Sequence, residues 1–221
     1  MDAQRVDVLS EHAWIEHATT FVGEIQDLLE NTLVGTTTLE TFETSKETFR
    51  SWFKISKELA IGRSGSNRLH LAVDFRLRPS NSRSGVAVEK SSIKVEFKAT
   101  QRFVPIVRFE FDREARNKPS SHFQFHAESV PLGLLLARSG RYETAAQQQN
   151  IHFPLGDSQF RVTVEDVVEL VVREFDAQPM PGWEERVEEG RRRFIEMQTE
   201  AVIRRDPAKA VEVLRLSLIH I

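Results

Sequence analysis

The sequence predicts an α+β domain: a mainly antiparallel meander of five or six strands with helices on its apolar face and a C-terminal helical extension. Three observations carry this. Apolar residues recur at three- and four-residue steps near the N-terminus, strict two-residue alternation takes over in the middle, and helical spacing with capping signals returns at the end. Composition agrees, since 40% hydrophobic and 29% charged residues are too apolar for a disordered chain and too charged for a membrane bundle.

Ser10 is placed to cap a first helix running to about Val34, whose stripe is Ile15, Ala18, Val22, Ile25 and Leu29. Gly35 and the Thr36–Thr38 run break it, and Leu39, Phe42 and Phe49 allow a short helix over 39–48. The period then becomes two. Phe53, Ile55, Leu59 and Ile61 form one run, and Leu69, Leu71, Val73, Phe75 and Leu77 the next, across the turn 62–67. After the 79–85 loop come Ile93, Val95 and Phe97, then Val107, Phe109 and Phe111, then Phe123 and Phe125. Five alternating runs bounded by turn residues read as an antiparallel meander with one buried and one wet face. Pro105 removes a ladder donor and marks a bulge or an edge.

Segment 130–150 is irregular and reads as a lid, a short helix or an interface. A compact strand, Ile151-His152-Phe153, precedes the turn at Pro154–Asp157. Thr163 with Asp166 is a capping box for a helix to Phe175, with Val164, Val167, Val168 and Val171 facing inward. Pro179, Pro181 and Gly182 separate it from a long helix over 183–205, and Asp206-Pro207 begins a last one.

Charge is distributed unevenly. Residues 1–59 carry 5 basic and 11 acidic side chains, 60–120 carry 13 and 6, and 121–221 carry 12 and 16. The meander is thus a basic block between acidic flanks, which suits an anionic partner such as nucleic acid, or simply a sheet whose wet face needs charge for solubility. Alternation places Arg68, His70, Asp74, Arg76 and Arg78 on the wet face, with Lys90, Lys94, Glu96 and Lys98 beside them, then Arg108, Glu110 and Asp112, and finally His122, Gln124 and His126. Arg68, Arg76, Arg78, Lys90, Lys94, Lys98 and Arg108 are the candidate anion ligands. The phenylalanines have the opposite parity and are expected to be buried, which disfavours an RNA platform built on stacking.

His122 and His126 share a face but stand roughly 13 Å apart along a strand, too far to chelate one zinc ion without cross-strand partners such as His70, Glu110, Asp112 or His152. His122, His126 and His152 are the candidate acid–base residues of an RNA-directed nuclease, since imidazole titrates near neutrality. The competing reading is a polar face on which histidines meet water and carboxylates. Glu165-Asp166 is assigned to helix capping, and Arg191-Arg192-Arg193 to a salt-bridged helix face through Glu188 and Glu189. No phosphate-binding loop, dinucleotide fingerprint, nucleophile elbow or HExxH motif occurs, and no cofactor or metal is implied.

With these residues laid out, the order of parts resembles the TumE-type toxin family of bacterial toxin–antitoxin systems over about residues 50–175. The pieces are Arg108-Phe109-Glu110-Phe111-Asp112, the segment His122 to His126, and Thr163-Val164-Glu165-Asp166-Val167-Val168. The resemblance implies a role in bacterial conflict and transfers no catalytic residue. Separately, the terminal Leu216-Ser217-Leu218-Ile219-His220-Ile221 resembles a translated transposon mosaic-end sequencing adapter, so the natural sequence is expected to be read only to about Arg215 and to continue beyond it.

The expectation is therefore an α+β domain over 1–178, a helical extension over 179–215 and an adapter-derived end over 216–221. The absence of cysteine and of any apolar stretch near the roughly 20 residues that span a bilayer suits the cytoplasm and no membrane partner. The leading functional expectation is an interaction module with a basic sheet face. A nuclease or toxin is the alternative, and a structural protein working through 130–150 or the 183–205 helix is the third.

Overall fold

The computed structural model describes residues 10–62, 66–80, 85–100, 102–156 and 160–218. Seven antiparallel strands form one open sheet in chain order: β1 (Gly35–Ser45), β2 (Arg50–Ile61), β3 (Ser66–Pro79), β4 (Val86–Lys98), β5 (Phe103–Asp112), β6 (Ser121–Phe125) and β7 (Phe153–Pro154). The helices are α1 (Glu11–Thr32), α2 (Val130–Arg138), α3 (Tyr142–Ala146), α4 (Val164–Phe175), α5 (Trp183–Arg205) and α6 (Pro207–Leu218). The meander and its helical flanks are thus as the periodicity predicts, with two strands more than its five alternating runs show.

Residues 39–48 correct one expectation. They lie in β1 and the turn after it, not in a short helix. Threonines at 36, 37, 38, 41 and 44 favour extended backbone because a β-branched side chain is restricted in a helix. A bulge between Leu39 and Thr41 shifts the parity, which hides the alternation from a linear reading. β7 begins two residues later than its apolar run suggests, so Ile151 and His152 lie outside it. Segment 130–150 resolves into α2, α3 and a 3₁₀ turn at Gln148–Asn150. The expected turns at 62–67, 79–85 and 154–157 fall partly outside the described residues, as does the segment 219–221.

The core lies between the sheet and a layer made of α1 and α4. Ser10 Oγ accepts from the Ala13 amide at 3.1 Å and starts α1, which buries Trp14, Ala18, Val22 and Leu29. The reciprocal bonds between Thr163 and Asp166 start α4, which buries the four valines of its stripe. Against them stand Phe53, Ile55, Leu71, Val73, Phe75, Ile93 and Val95, all buried. Phe21 on α1 meets Phe53 and Phe75 edge-on at 6.0 and 5.6 Å, while those two rings stack at 5.3 Å. α5 packs its first half on this layer through Val187 and Gly190, and Arg191 reaches Asp166 and Glu169 of α4 at 3.0 and 2.6 Å. Arg191 is therefore a strap between helices, whereas Arg192 and Arg193 pair along α5 itself.

The helical layer does not reach the far side of the sheet. Phe97 and Phe125 have core parity yet are 41% and 48% exposed, contrary to the expectation that they are buried. Lys57 is the opposite case: it shares core parity with Ile55 and Leu59 and is fully buried. Its ammonium donates to Gly35 O at 3.1 Å and Thr37 Oγ1 at 2.9 Å, and burial pulls its pKa below the usual lysine value.

Candidate functional site

The register of β5 and β6 sets Glu110 directly opposite His122 on the wet face. His122 is completely buried. Its Nε2 lies 3.0 Å from Glu110 Oε2 and its Nδ1 lies 2.9 Å from the Pro119 carbonyl. Pro119 O can only accept, so Nδ1 carries a hydrogen, and an ionised Glu110 asks for a second on Nε2. Both ring nitrogens are then occupied as donors.

Glu110 is the hub. Lys118 donates to Oε2 at 2.9 Å and Arg108 lies 3.4 Å from Oε1. The His122 contact, reinforced by Lys118 and Arg108 against the cost of burial, holds the Glu110 carboxyl down at about 2. Arg108 also donates to Gln124 Oε1 at 3.0 Å, and the Gln124 amide donates to the Gln149 carbonyl at 3.1 Å. That last bond ties the 3₁₀ turn to the sheet and carries His152 to the edge of the site, where its ring meets His122 at 4.6 Å. Burial, then the positive neighbours His122 and Lys118, lowers the His152 pKa below the ordinary imidazole value.

The structure thus joins His122 with His152 and leaves His126 apart. His126 follows the end of β6, its amide donates to the Ile106 carbonyl, and its Nε2 is buried without a partner. Burial and the nearby Arg108 lower its pKa too. No group of three or more potential metal ligands occurs among the described residues. A groove of about 720 Å³ between α1 and α5 lies on the helical side of the sheet and contains none of these histidines.

The basic residues of the wet face divide into two sets. Lys90 pairs with Asp112 at 2.9 Å, Lys98 with Glu58, and Arg108 with Glu110 and Gln124. Arg78, at the end of β3, donates to Pro79 O at 3.4 Å. Arg68 is exposed near the start of β3, and neither Arg76 nor Lys94 has an ion-pair partner among the described residues. The register nevertheless sets Arg76 opposite Lys90, and Lys94 opposite Arg108.

Aromatic surface is also present on this face, against expectation. A register shift between Val95 and Glu96 passes over Ile106, so Pro105 faces Glu96 and Phe103 faces Lys98. The bulge that Pro105 marks therefore turns Phe103 onto the wet face, where it stacks on His70 at 4.0 Å and remains 42% exposed. Trp52, opposite Arg76 and Glu43, shares the face. On the side of the β6–β7 connection, Val130, Leu134, Leu135 and Tyr142 project from α2 and α3 with more than half their surface exposed. Comparison with family models, curated proteins and solved structures finds no match to this chain.

Proposed function

We propose that the chain is a binding module that receives an anionic partner on the open face of its sheet. The observation that carries this reading is the pair of like-charge juxtapositions, Arg76 opposite Lys90 and Lys94 opposite Arg108. Like charges directly opposite each other on neighbouring strands cost stability. Asp112 relieves Lys90 and Glu110 relieves Arg108, which leaves Arg76 and Lys94 without an ionic partner among the described residues. A bound polyanion would supply what they lack. Phe103 and Trp52 add ring surface on which unpaired bases can stack, which makes single-stranded RNA the first partner to test.

Fluorescence anisotropy with a short single-stranded RNA tests it. Binding is expected at 50 mM salt, with affinity falling steeply by 200 mM as counterion release loses its advantage. The double reversal Arg76→Glu/Lys94→Glu is expected to weaken it by about tenfold or more, since two phosphate contacts become repulsions. No binding at low salt, or equal binding by the variant, rejects the reading. RNA cleavage in the same mixture, lost on replacing His126 and His152, would instead favour the nuclease and the toxin-type role.

A second reading is favoured by α2, whose Leu134 and Leu135 are exposed in a helix of only nine residues. Here a protein partner covers 130–150. Leu134→Asp/Leu135→Asp would then abolish co-purification of that partner while leaving RNA affinity as in the wild type.

A further inference from the structure

The helical side of the sheet holds an arrangement that the binding face does not use. One cross-strand row runs Phe75, Ser91, Phe111, Ser121 from β3 to β6. A guanidinium lies over each of its two rings. Arg161, just ahead of the α4 cap, has its Cζ 5.5 Å from the Phe75 centroid and 5.3 Å from Phe194 of α5. Arg113, just beyond β5, lies 5.4 Å over Phe111 and spends its Nε on the Val88 carbonyl at 3.2 Å. These contacts hold the two planes in place.

Neither arginine has a carboxylate within ion-pair distance among the described residues. The acids nearest in charge to Arg161 are Glu165 and Asp166, and Asp166 is already engaged by Arg191 and the Thr163 cap. Arg113 instead feels Arg78 and Arg205, both positive. Two small hydroxyl residues complete the row: Ser91 is buried between the rings, and Ser121 Oγ beside Phe111 is buried with no hydrogen-bond partner at all. Arg113 itself is exposed, so the cluster opens to solvent.

We propose that Arg113 and Arg161, with the Ser91 hydroxyl between them, form a binding site for a phosphate-type oxyanion. Phe75 and Phe111 are two strand spacings apart, roughly 10 Å. Two guanidinium carbons sharing one phosphate through charge-assisted bonds of about 2.8 Å stand roughly 8 Å apart, close to the spacing of the two rings that carry them. Arginine suits the task because its planar fork can stack on a ring and still present N–H groups to an anion.

The test uses the full chain and inorganic phosphate, titrated by calorimetry and thermal melting at constant ionic strength against chloride. Saturable binding with a rise in melting temperature is expected. Arg113→Gln is expected to bind phosphate at least about tenfold more weakly than the wild type, its phosphate-induced rise in melting temperature being read against its own phosphate-free baseline. Arg161→Lys keeps the charge but loses the fork, and should fall between the two. Phenyl phosphate in place of phosphate separates the sources: tighter binding identifies a phosphomonoester, equal binding the free ion. Arg76→Glu/Lys94→Glu should bind phosphate as the wild type does, whether or not the sheet-face reading holds. The proposal is overturned if phosphate does no more than chloride, if Arg113→Gln titrates unchanged, or if the Arg76/Lys94 variant loses the effect.

Discussion

Glu110 shows how one residue ties the candidate site to stability. Its folded pKa, about 2, lies below the ordinary carboxyl value of 4.5, so the folded state favours the ionised form. The stabilisation is complete above about pH 4.5, where the unfolded chain is ionised as well, and is lost as pH falls toward 2. Glu110→Gln removes the charge that faces His122, Lys118 and Arg108. Partial solvent exposure of this network trims the effect, and the expected loss is about 2 kcal/mol at pH 7, shrinking to about half by pH 3. Urea unfolding of both proteins at the two pH values measures it, and a gap independent of pH would contradict the assignment. His126 and His152 behave in the opposite sense, favouring the uncharged form. Burial favours their uncharged forms, so their imidazole resonances should titrate below the ordinary 6.5 in an NMR pH series. The residue types at 110, 122, 126 and 152 are plain in the sequence. Which histidine keeps a free nitrogen was not, because it depends on Pro119 and Glu110 reaching His122 from either side.

Among the elements, two joints carry predictions of different size. Gly35 begins β1 at φ +139°, and a Cβ added there would come 1.9 Å from the Glu58 carbonyl oxygen. Gly35→Ala therefore forces the β1–β2 pairing apart and is expected to cost about 3 kcal/mol or more. Thr163→Ala loses only the α4 cap, about 1 kcal/mol. The urea midpoints of the two variants rank them, and a reversed order would show that the cap, not the strand entry, is the weak joint. Gly35 is visible in the sequence as a helix stop, yet its second task, close approach to β2, follows only from strand pairing. β5 teaches the same lesson. Pro105 announces a bulge or an edge, but the consequence for Phe103 requires knowing which residue of β4 it faces.

For the whole molecule, burial is concentrated in β2, β3, β4, α1 and α4, while α6 buries none of its side chains among those described. Amide hydrogen exchange should follow that division, slowest in the three central strands and fast throughout α6. Removing residues after Asp206 should leave the unfolding free energy from urea titration within about 0.5 kcal/mol of that of the full chain. A large loss would mean that α6 docks on the domain. Charge at this scale reads differently from the linear blocks. The segment 60–120 is strongly basic, but β2 brings Glu58 to Lys98 and β1 brings Glu40 to within 2.5 Å of Lys54, so acids distant in sequence dilute the basic face. What survives is local, at Arg76 and Lys94. The sequence by itself determined the α+β class, the meander and both helix caps, because those depend on local periodicity and on residues three or four positions apart, while Pro105 left a choice between a bulge and an edge. The tertiary structure alone decided which charges are paired, which histidines meet, which aromatics reach solvent and where two arginines flank a serine. Each of these rests on strand register and bulges, and a shift of one residue there moves a side chain to the opposite face.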